Sequence, residues 1–413
     1  MNSNLVFKNT VLFSVLLMLS CGSSVKSKEE REKKKEVIVE NATQEFRTGA
    51  ENYAAYLPLL NDKKVGIVTN QTGVLNYYSP EDTQVNLNIV DFLISKKINL
   101  QKIFAPEHGF RGTADAGEHV IDGKDAKTGL PIISLYGDNK KPKPEQLEDI
   151  EVLVFDLQDV GARFYTYISS LHYIMEACAE NNVQLIVLDR PNPNGAIVDG
   201  PVLEKEFSSF VGMHQIPLLH GMTIGEYANM INGERWLKDG IQCKLTVIPC
   251  LNYTREMFYS LPMKPSPNLP NDQAINLYPS LCLFEGTNVS VGRGTEKQFQ
   301  IYGSPFLPKG NFSFTPIPNF GSKEPPFKNQ LCYGEDLTQA PKINKLELKW
   351  LIKAYSETTD KSKFFTPFFT KLAGTKKLQQ QIEAGTSEAA IRKSWEKGLN
   401  DFNMMRKKYL IYN

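Results

Sequence analysis

The chain has 413 residues, of which 41% are hydrophobic and 23% are charged, enough apolar surface for one large or two ordinary domains. Its formal net charge is +1, so no overall basic field indicates nucleic-acid binding. Six cysteines without a CxxC pair and only five histidines argue against a cysteine-built zinc site, and no metal or cofactor is predicted.

The first 21 residues are predicted to be a sorting signal. An apolar run from Val11 to Leu19 is short for a membrane span, and it ends in Met18-Leu19-Ser20-Cys21. This ending resembles a lipobox, in which the signal is cut before a cysteine that is then acylated, so Cys21 is the predicted lipidation site. An ordinary signal peptide with a chance cysteine is the alternative. Residues 22–47, rich in Lys and Glu, are predicted to be a flexible tether.

From residue 48 onward, short apolar runs alternate with segments of helical spacing. Thr223 followed by Glu226 is a capping-box pattern that predicts a helix from residue 224. Continuous apolar strands separated by helices are typical of a parallel sheet covered on both faces. Strands are predicted at 64–70, 102–105, 131–136, 152–157, 184–189 and 244–248, and helices at 88–96, 167–181 and 224–237.

A change of pattern follows the proline-rich segment 261–272, which is predicted to be a domain boundary. Residues 48–265 form the predicted α/β domain. Residues 266–413, with helical patterns at 346–356 and 387–400, are predicted to form a smaller α+β domain. Cys243 and Cys250 are spaced so that a disulfide between them is an option in an oxidising compartment.

Polar side chains follow several of the predicted strands. The carboxyl ends of parallel strands share one sheet edge, where ligands of such folds bind. Carboxylates there can protonate a leaving glycosidic oxygen or assist at the sugar, and amides and guanidinium groups can hold hydroxyls and carboxylates. The residues of this edge are Asn70; Glu107, His108 and Arg111; Asp156, Asp159, Arg163 and Tyr165; and Arg190 and Asn192.

Several of these residues also have a structural interpretation. Asp156 lies within an apolar strand, and its pattern is equally typical of a carboxylate that caps a nearby loop or helix. Asp159 and Arg163 are four residues apart and can pair with one another. The alternatives stay open at the level of sequence.

A second polar cluster lies in the smaller predicted domain. Glu285 ends an apolar run, and Arg293 and Glu296 follow within a glycine-punctuated segment that predicts a turn. The structural alternative is a hairpin salt bridge. If this domain folds over the sheet edge, Glu285 and Arg293 face Glu107 across a cleft, the usual place for a ligand between domains.

Several catalytic signatures are absent from the sequence. There is no GxGxxG after the first strand and no GxxxxGK[ST], which disfavours a nucleotide-dependent oxidoreductase. There is also no GxSxG and no HExxH, so neither a serine nucleophile elbow nor that zinc motif is indicated.

Six ordered blocks resemble the bacterial exo-β-N-acetylmuramidases, a glycoside hydrolase family long known as a domain of unknown function. The resemblance covers nearly everything after residue 48. It implies a Rossmann-like catalytic domain (48–265) and an auxiliary domain (266–413) with the site between them. The blocks are GIVTNQTG (66–73), FAPEHGFRG (104–112), DLQDVGARFYTY (156–167), LDRPNPNG (188–195), HGMTIGEY (220–227) and EGTN with RGTE (285–288 and 293–296).

The resemblance also implies a reaction, the release of N-acetylmuramic acid from the non-reducing ends of peptidoglycan fragments. Some members are lipoproteins of bacteria with two membranes, which agrees with Cys21 and with an exported, membrane-anchored protein of the periplasm or cell surface. The partners expected are therefore a peptidoglycan-derived amino sugar and, through the anchor alone, a membrane. The alternative function is a lipid-anchored solute-binding protein for a cell-wall sugar.

The residues support a specific chemical hypothesis. Glu107 is predicted to be the general acid, with Asp156 or Asp159 as the second carboxylate and Glu285 as the alternative. The acetamide of the substrate is a further candidate nucleophile. Arg111, Arg163 and Arg293 are candidates for binding the lactyl carboxylate that distinguishes the muramic sugar. The other predicted substrate-binding residues are Asn70, His108, Tyr165, Arg190, Asn192 and Glu296.

Overall fold

A computed structural model of the protein describes residues 45–78, 84–107, 109–110 and 123–413. Residues Phe46–Asn413 form one compact unit. No helix in these described ranges is long and apolar enough to cross a membrane. The predicted signal and the tether up to residue 44, with Cys21, lie outside the described residues.

The strands occur where the sequence predicts them, with several short additions. All six predicted strands are present within a few residues of their expected bounds. The bounds are Val65–Thr69 (β1), Val74–Tyr78 (β2), Gln84–Asn88 (β3), Leu100–Ala105 (β4), Gly123–Lys124 (β5), Pro131–Ser134 (β6), Val152–Asp156 (β7), Gln184–Leu188 (β8), Val198–Asp199 (β9), Leu219–His220 (β10), Leu245–Ile248 (β11), Ile301–Ser304 (β12), Ser313–Phe314 (β13) and Cys332–Asp336 (β14).

Helices separate the parallel strands and dominate the last third of the chain. Their bounds are Tyr53–Leu60 (α1), Ile89–Ser95 (α2), Pro144–Leu147 (α3), Tyr167–Glu180 (α4), Ile224–Gly233 (α5), Asp272–Leu281 (α6), Lys349–Glu357 (α7), Phe368–Ala373 (α8), Lys377–Glu383 (α9), Glu388–Lys393 (α10) and Glu396–Arg406 (α11).

The central sheet has the strand order β11-β8-β7-β1-β4-β6-β5. Its strands are parallel except for β5, which pairs antiparallel with β6 at the edge. From β1 the chain builds outward through β4 and β6, and from β7 it builds the other way through β8 and β11. The order therefore reverses between β1 and β7, where a ligand crevice is expected outside the strand ends.

Alternate residues of the central strands enter two different apolar cores. Val152 and Val154 pack with the core that includes α1 and α2, whereas Leu153 and Phe155 pack with the core that includes α4 and α5. Burying a large aliphatic or aromatic side chain contributes about 1.5–3 kcal/mol, and a strand covered on both faces gains this at every position. This explains the unbroken apolar runs in the sequence and confirms the predicted α/β class.

The predicted capping box starts α5. Thr223 Oγ1 accepts a hydrogen bond from the Glu226 backbone N–H at 3.3 Å, and Glu226 Oε2 accepts one from the Thr223 N–H at 3.0 Å. The helix ends at Gly233, four residues earlier than predicted. Arg235, with a φ of 55°, adopts the left-handed conformation just beyond this end, which no helix can continue.

Several features differ from the sequence prediction. The hairpin β2–β3 was not predicted, and the predicted helix at 387–400 is divided into α10 and α11. The helix α6 was missed because Pro279 lies inside it; its start is set by Asn271, whose side chain accepts from the Ala274 N–H at 2.9 Å. Cys243 and Cys250 are buried free thiols, so the disulfide considered for them is not formed.

Candidate active site

A cavity of about 140 Å³ lies beside the carboxyl ends of β4 and β7. It is formed by segments that are far apart in sequence, which the fold brings together. These are the ends of two central strands, the proline-rich loop, α6 and the turn after it, and α8. The lining residues are Glu107, Phe164, Tyr165, Thr166, Tyr167, Val211, Ser266, Asn268, Leu269, Tyr278, Cys282, Glu285, Arg293, Phe299, Phe368 and Leu372.

Glu107 is held at the cavity wall two residues after β4. Its Oε2 accepts a hydrogen bond from Thr166 Oγ1 at 2.9 Å, and the Tyr136 hydroxyl also hydrogen-bonds to its carboxylate. Burial, together with this carboxylate, raises the pKa of Tyr136 to about 12, so the phenol stays a donor at neutral pH. Two donors from different elements therefore fix the orientation of Glu107.

Glu285 and Arg293 also line this cavity and contact each other. Glu285 Oε1 accepts from Arg293 Nε at 2.5 Å, and the Arg293 guanidinium lies 5.2 Å from the centre of the Phe299 ring. Burial alone would lower the pKa of Arg293, but the Glu285 carboxylate raises it above the ordinary value. The terminal nitrogens of Arg293 make no hydrogen bond within the described part of the chain, so they are open to a ligand.

The turn that carries Arg293 depends on its flanking glycines. Gly292 and Gly294 have φ angles of 79° and 78°, values that glycine adopts without the steric penalty of a Cβ. The glycine-punctuated segment therefore does form the predicted turn. It brings Arg293 to the cavity, as expected, while Glu296 is exposed and outside the lining.

Asp156 and Arg190 form a buried ion pair away from the cavity lining. Both side chains are almost inaccessible, and the guanidinium binds both carboxylate oxygens, with Nε–Oδ1 at 2.6 Å and Nη2–Oδ2 at 2.9 Å. Arg190 also donates to the Val74 carbonyl at 3.0 Å. The pair therefore connects the ends of β7 and β8 to the start of β2. This agrees with the structural interpretation of Asp156.

Asp159 and Arg163 have separate partners. Asp159 Oδ2 accepts from the Gly161 N–H at 2.7 Å and lies 3.6 Å from His220 Nε2. The Arg163 guanidinium is fully buried and donates to the carbonyls of Pro201, Ile216 and Leu372, each at 2.9 Å. Burial lowers the pKa of Arg163 to about 9. Arg163 thus anchors Leu372, a lining residue, from behind.

Of the other residues predicted to bind the substrate, one lines the cavity and two are buried behind it. Tyr165 lines the cavity and donates to the Pro265 carbonyl at 2.7 Å. Asn70 lies beneath, donating to the Tyr167 hydroxyl at 2.6 Å. Asn192 is buried and donates to the Met222 carbonyl at 2.9 Å. His108 and Arg111 lie outside the described residues.

Comparison with known proteins identifies the family. Sequence models of the two domains of the exo-beta-N-acetylmuramidase NamZ family match this chain, the N-terminal one over residues 65–273 and the C-terminal one over residues 276–412. The chain belongs to the NamZ family. This confirms the resemblance found in the sequence blocks. Peptidoglycan beta-N-acetylmuramidase NamZ of Bacillus subtilis (strain 168) is 42% identical over 380 residues, which are 86% of this chain and 89% of that protein.

Two solved structures share the fold along nearly their whole length. Both are DUF1343 family proteins from Bacteroides fragilis NCTC 9343. The first is 44% identical with a TM-score of 0.80, covering 90% of this chain and 99% of its own. The second is 30% identical with a TM-score of 0.73, covering 89% and 99%. The NamZ-family fold is therefore shown by sequence and by structure.

Part of the cavity lining of this NamZ-family chain carries no clear signal in the sequence. Thr166, Asn268, Tyr278, Phe299 and Phe368 were not singled out. Asn268 lies in the proline-rich loop that was interpreted only as a boundary, and its Oδ1 atom has no hydrogen-bond partner within the described residues. Its position between prolines was the available signal, because such a loop places backbone and amide groups rigidly.

Proposed function

We propose that this protein is an exo-acting glycoside hydrolase that releases N-acetylmuramic acid from the non-reducing ends of peptidoglycan fragments. The supporting observation is that a chain of the NamZ family brings Glu107, Glu285 and Arg293 to one cavity. The Bacillus relative, named for this activity on peptidoglycan, agrees with it. A carboxyl pair and a guanidinium group are the functional groups that cleavage of an acidic sugar requires.

Glu107 is the proposed general acid. In its protonated form it donates its proton to the glycosidic oxygen while the bond from that oxygen to the anomeric carbon breaks. The contacts from Thr166 and Tyr136 hold the carboxyl group in one orientation, which is what proton transfer along a defined direction needs.

Glu285 is the proposed second carboxylate. It is the other acidic side chain of the described lining, whereas Asp156 is bound to Arg190 and Asp159 to the Gly161 turn. Glu285 either acts at the anomeric centre itself or orients the substrate acetamide that does so. Its ion pair with Arg293 holds the carboxylate in place, where it can stabilise positive charge developing on the sugar ring.

Arg293 is the proposed ligand of the lactyl carboxylate. Nε is engaged by Glu285, and the two terminal nitrogens remain available for a carboxylate from the substrate. The Phe299 ring beneath the guanidinium plane helps to fix it. Such a site would reject N-acetylglucosamine, because the terminal nitrogens of the guanidinium would be desolvated without a carboxylate to accept their hydrogen bonds.

We also propose that Cys21 carries a lipid anchor, so that the enzyme acts outside the cytoplasmic membrane on cell-wall fragments. The lipobox-like sequence and the charged segment after it support this assignment. Fractionation of cells that express wild type and Cys21→Ser tests it, since an unanchored variant should leave the membrane fraction. Equal membrane retention of both proteins would contradict the anchor.

The first experiment measures release of N-acetylmuramic acid from a chromogenic β-glycoside by wild type and Glu107→Gln. Loss of the general acid should lower kcat by about a hundredfold or more without unfolding the protein. Glu296→Gln is the matched control, since it removes an exposed carboxylate three residues beyond Arg293 and should leave kcat unchanged. A Glu107→Gln variant as fast as wild type would exclude Glu107. Binding of the sugar by wild type without cleavage would support the solute-binding alternative.

A further inference from the structure

A tight turn outside the cavity lining exposes an aromatic ring to solvent. The Asn319 N–H donates to the Ser322 carbonyl at 2.9 Å and the Ser322 N–H donates back to Asn319 at 3.2 Å. Asn319 Oδ1 also accepts from the N–H groups of Gly321 and Ser322, at 3.1 and 3.0 Å. The turn is thus closed on itself, and Phe320 at its tip is 65% exposed.

This turn is attached directly to the cavity wall. The Asn268 side chain, which lines the cavity, donates to the Gly321 carbonyl at 2.5 Å. The Asn319 side chain donates to the Thr295 carbonyl at 3.1 Å, two residues after Arg293. The Ile317 N–H donates to the Gly294 carbonyl at 2.8 Å. Phe320 is therefore held beside the same wall that carries Arg293, at the outside of the cavity.

A ligand that extends out of the cavity could cover the exposed Phe320 ring. Burial of that apolar surface would then favour binding. A phenyl ring offers no hydrogen bond, so its ligand must present an apolar face. The C–H face of a pyranose ring is such a surface, and stacking against an aromatic ring costs little side-chain entropy because the ring has only two χ angles.

We propose that Phe320 is the platform of a subsite for the sugar on the leaving side of the scissile bond, an N-acetylglucosamine residue. The inference rests on the proposed function. An exo-acting enzyme holds the terminal muramic sugar within its cavity, so the rest of the glycan must leave across the rim. The turn that carries Phe320 is attached to the wall of that cavity. The ring would bind the second sugar and so raise kcat/KM for glycan fragments relative to glycosides that lack a second sugar.

Two substrates separate this subsite from the catalytic cavity. One is the disaccharide of N-acetylmuramic acid β-linked to N-acetylglucosamine, and the other is the methyl β-glycoside of N-acetylmuramic acid, which has no second ring. Phe320→Ala should lower kcat/KM for the disaccharide about five- to tenfold, the size of one aromatic contact, and leave the methyl glycoside within about twofold of wild type. Phe320→Trp should retain disaccharide activity.

Phe258 supplies the matched control, because it is also 65% exposed but belongs to a segment that does not line the cavity. Phe258→Ala should leave both substrates unaffected. Equal losses on both substrates in Phe320→Ala, or no loss on the disaccharide, would overturn the subsite. If wild type cleaves neither substrate, the proposed function fails, and calorimetry with the disaccharide decides the subsite separately: weaker binding by Phe320→Ala supports it and unchanged binding overturns it.

Discussion

At the scale of single residues, the surroundings of a guanidinium group determine what it can bind. Arg163 and Arg293 are both candidates for the lactyl carboxylate by sequence. Arg163 is fully buried, and its terminal nitrogens donate to three backbone carbonyls, which leaves a ligand no access to them. Arg293 has one carboxylate neighbour, on Nε, and lines the cavity. The difference in partners, rather than in residue type, selects Arg293.

Replacing Arg293 should therefore change substrate selectivity. Arg293→Gln is expected to lower kcat/KM for N-acetylmuramic acid glycosides by about 10- to 150-fold, because a charge-assisted hydrogen bond is worth about 1.5–3 kcal/mol. The matching N-acetylglucosamine glycoside should be hydrolysed no more slowly than by wild type. Arg293→Lys keeps a positive charge beside Glu285 but not the planar guanidinium group. Its kcat/KM for N-acetylmuramic acid glycosides should therefore lie between the values for wild type and Arg293→Gln. Equal losses on both glycosides would contradict the assignment.

At the scale of secondary-structure elements, the carboxyl edge of the sheet is fastened by polar contacts between strand ends. β1 and β7 pair in register up to Thr69 and Asp156. Asp156 then binds Arg190, which follows β8 and reaches back to Val74 at the start of β2. An ion pair without solvent contact leaves a large desolvation penalty if one member is removed. The edge therefore depends on the pair as a unit.

Asp156→Asn should lower the free energy of unfolding by about 3–5 kcal/mol, since it leaves Arg190 buried without its counter-charge. The double variant Asp156→Leu with Arg190→Met should recover part of that loss, because apolar replacements of a buried pair are often near neutral. Urea denaturation followed by fluorescence measures both. An Asp156→Asn protein that keeps wild-type stability but loses turnover would instead place this carboxylate in the reaction.

At the scale of the whole molecule, the end of the chain returns to the central sheet. The Tyr412 hydroxyl donates to Asp189 Oδ2 at 2.7 Å, and the N–H groups of Ile411 and Tyr412 donate to Glu226 at 2.7 and 3.2 Å. Arg163, after β7, binds the carbonyl of Leu372 in α8. The C-terminal region and the sheet therefore stabilise each other. A substitution in either should change the free energy of unfolding of the whole molecule.

Buried histidines give this global stability a pH dependence. His214 Nδ1 lies 2.8 Å from the Tyr227 hydroxyl, its Nε2 lies 3.0 Å from His172 Nδ1, and its ring stacks on Trp236 at 4.5 Å. Burial, followed by the nearby His172, lowers the pKa of His214 to about 3. The folded state thus favours neutral His214, so its contribution is complete above the unfolded pKa and is lost as pH falls from about 6.5 toward 3.

Wild type should lose about 2 kcal/mol of unfolding free energy through His214 between pH 7 and pH 5. His214→Gln removes this titration, so its unfolding free energy should fall less steeply over the same interval. Burial raises the pKa of Asp189 to about 6, which has the opposite sign and favours folding as pH falls, but both proteins contain Asp189. Urea denaturation at the two pH values measures the unfolding free energies. An equal loss from pH 7 to pH 5 in wild type and variant would contradict the assignment.

The periodic and local features of the molecule can be predicted from neighbouring residues along the chain. Unbroken apolar runs marked the central strands, because each strand is buried on both faces, and the Thr223–Glu226 spacing marked the start of α5. Strand ends also located the edge where a ligand should bind, and glycines around Arg293 marked its turn. These signals are readable because they depend on neighbours a few residues apart.

Contacts between distant parts of the chain determine which polar side chains line the cavity and which support it. Asp156 finds its partner 34 residues away, and Arg163 finds the Leu372 carbonyl 209 residues away; no local pattern records such partners. Glu107 and Glu285 line the same cavity although they are far apart in sequence. Glu285 follows α6, a helix that is hard to predict because Pro279 lies inside it. Chain folding, not residue type, therefore separates carboxylates at the cavity from carboxylates that hold the fold.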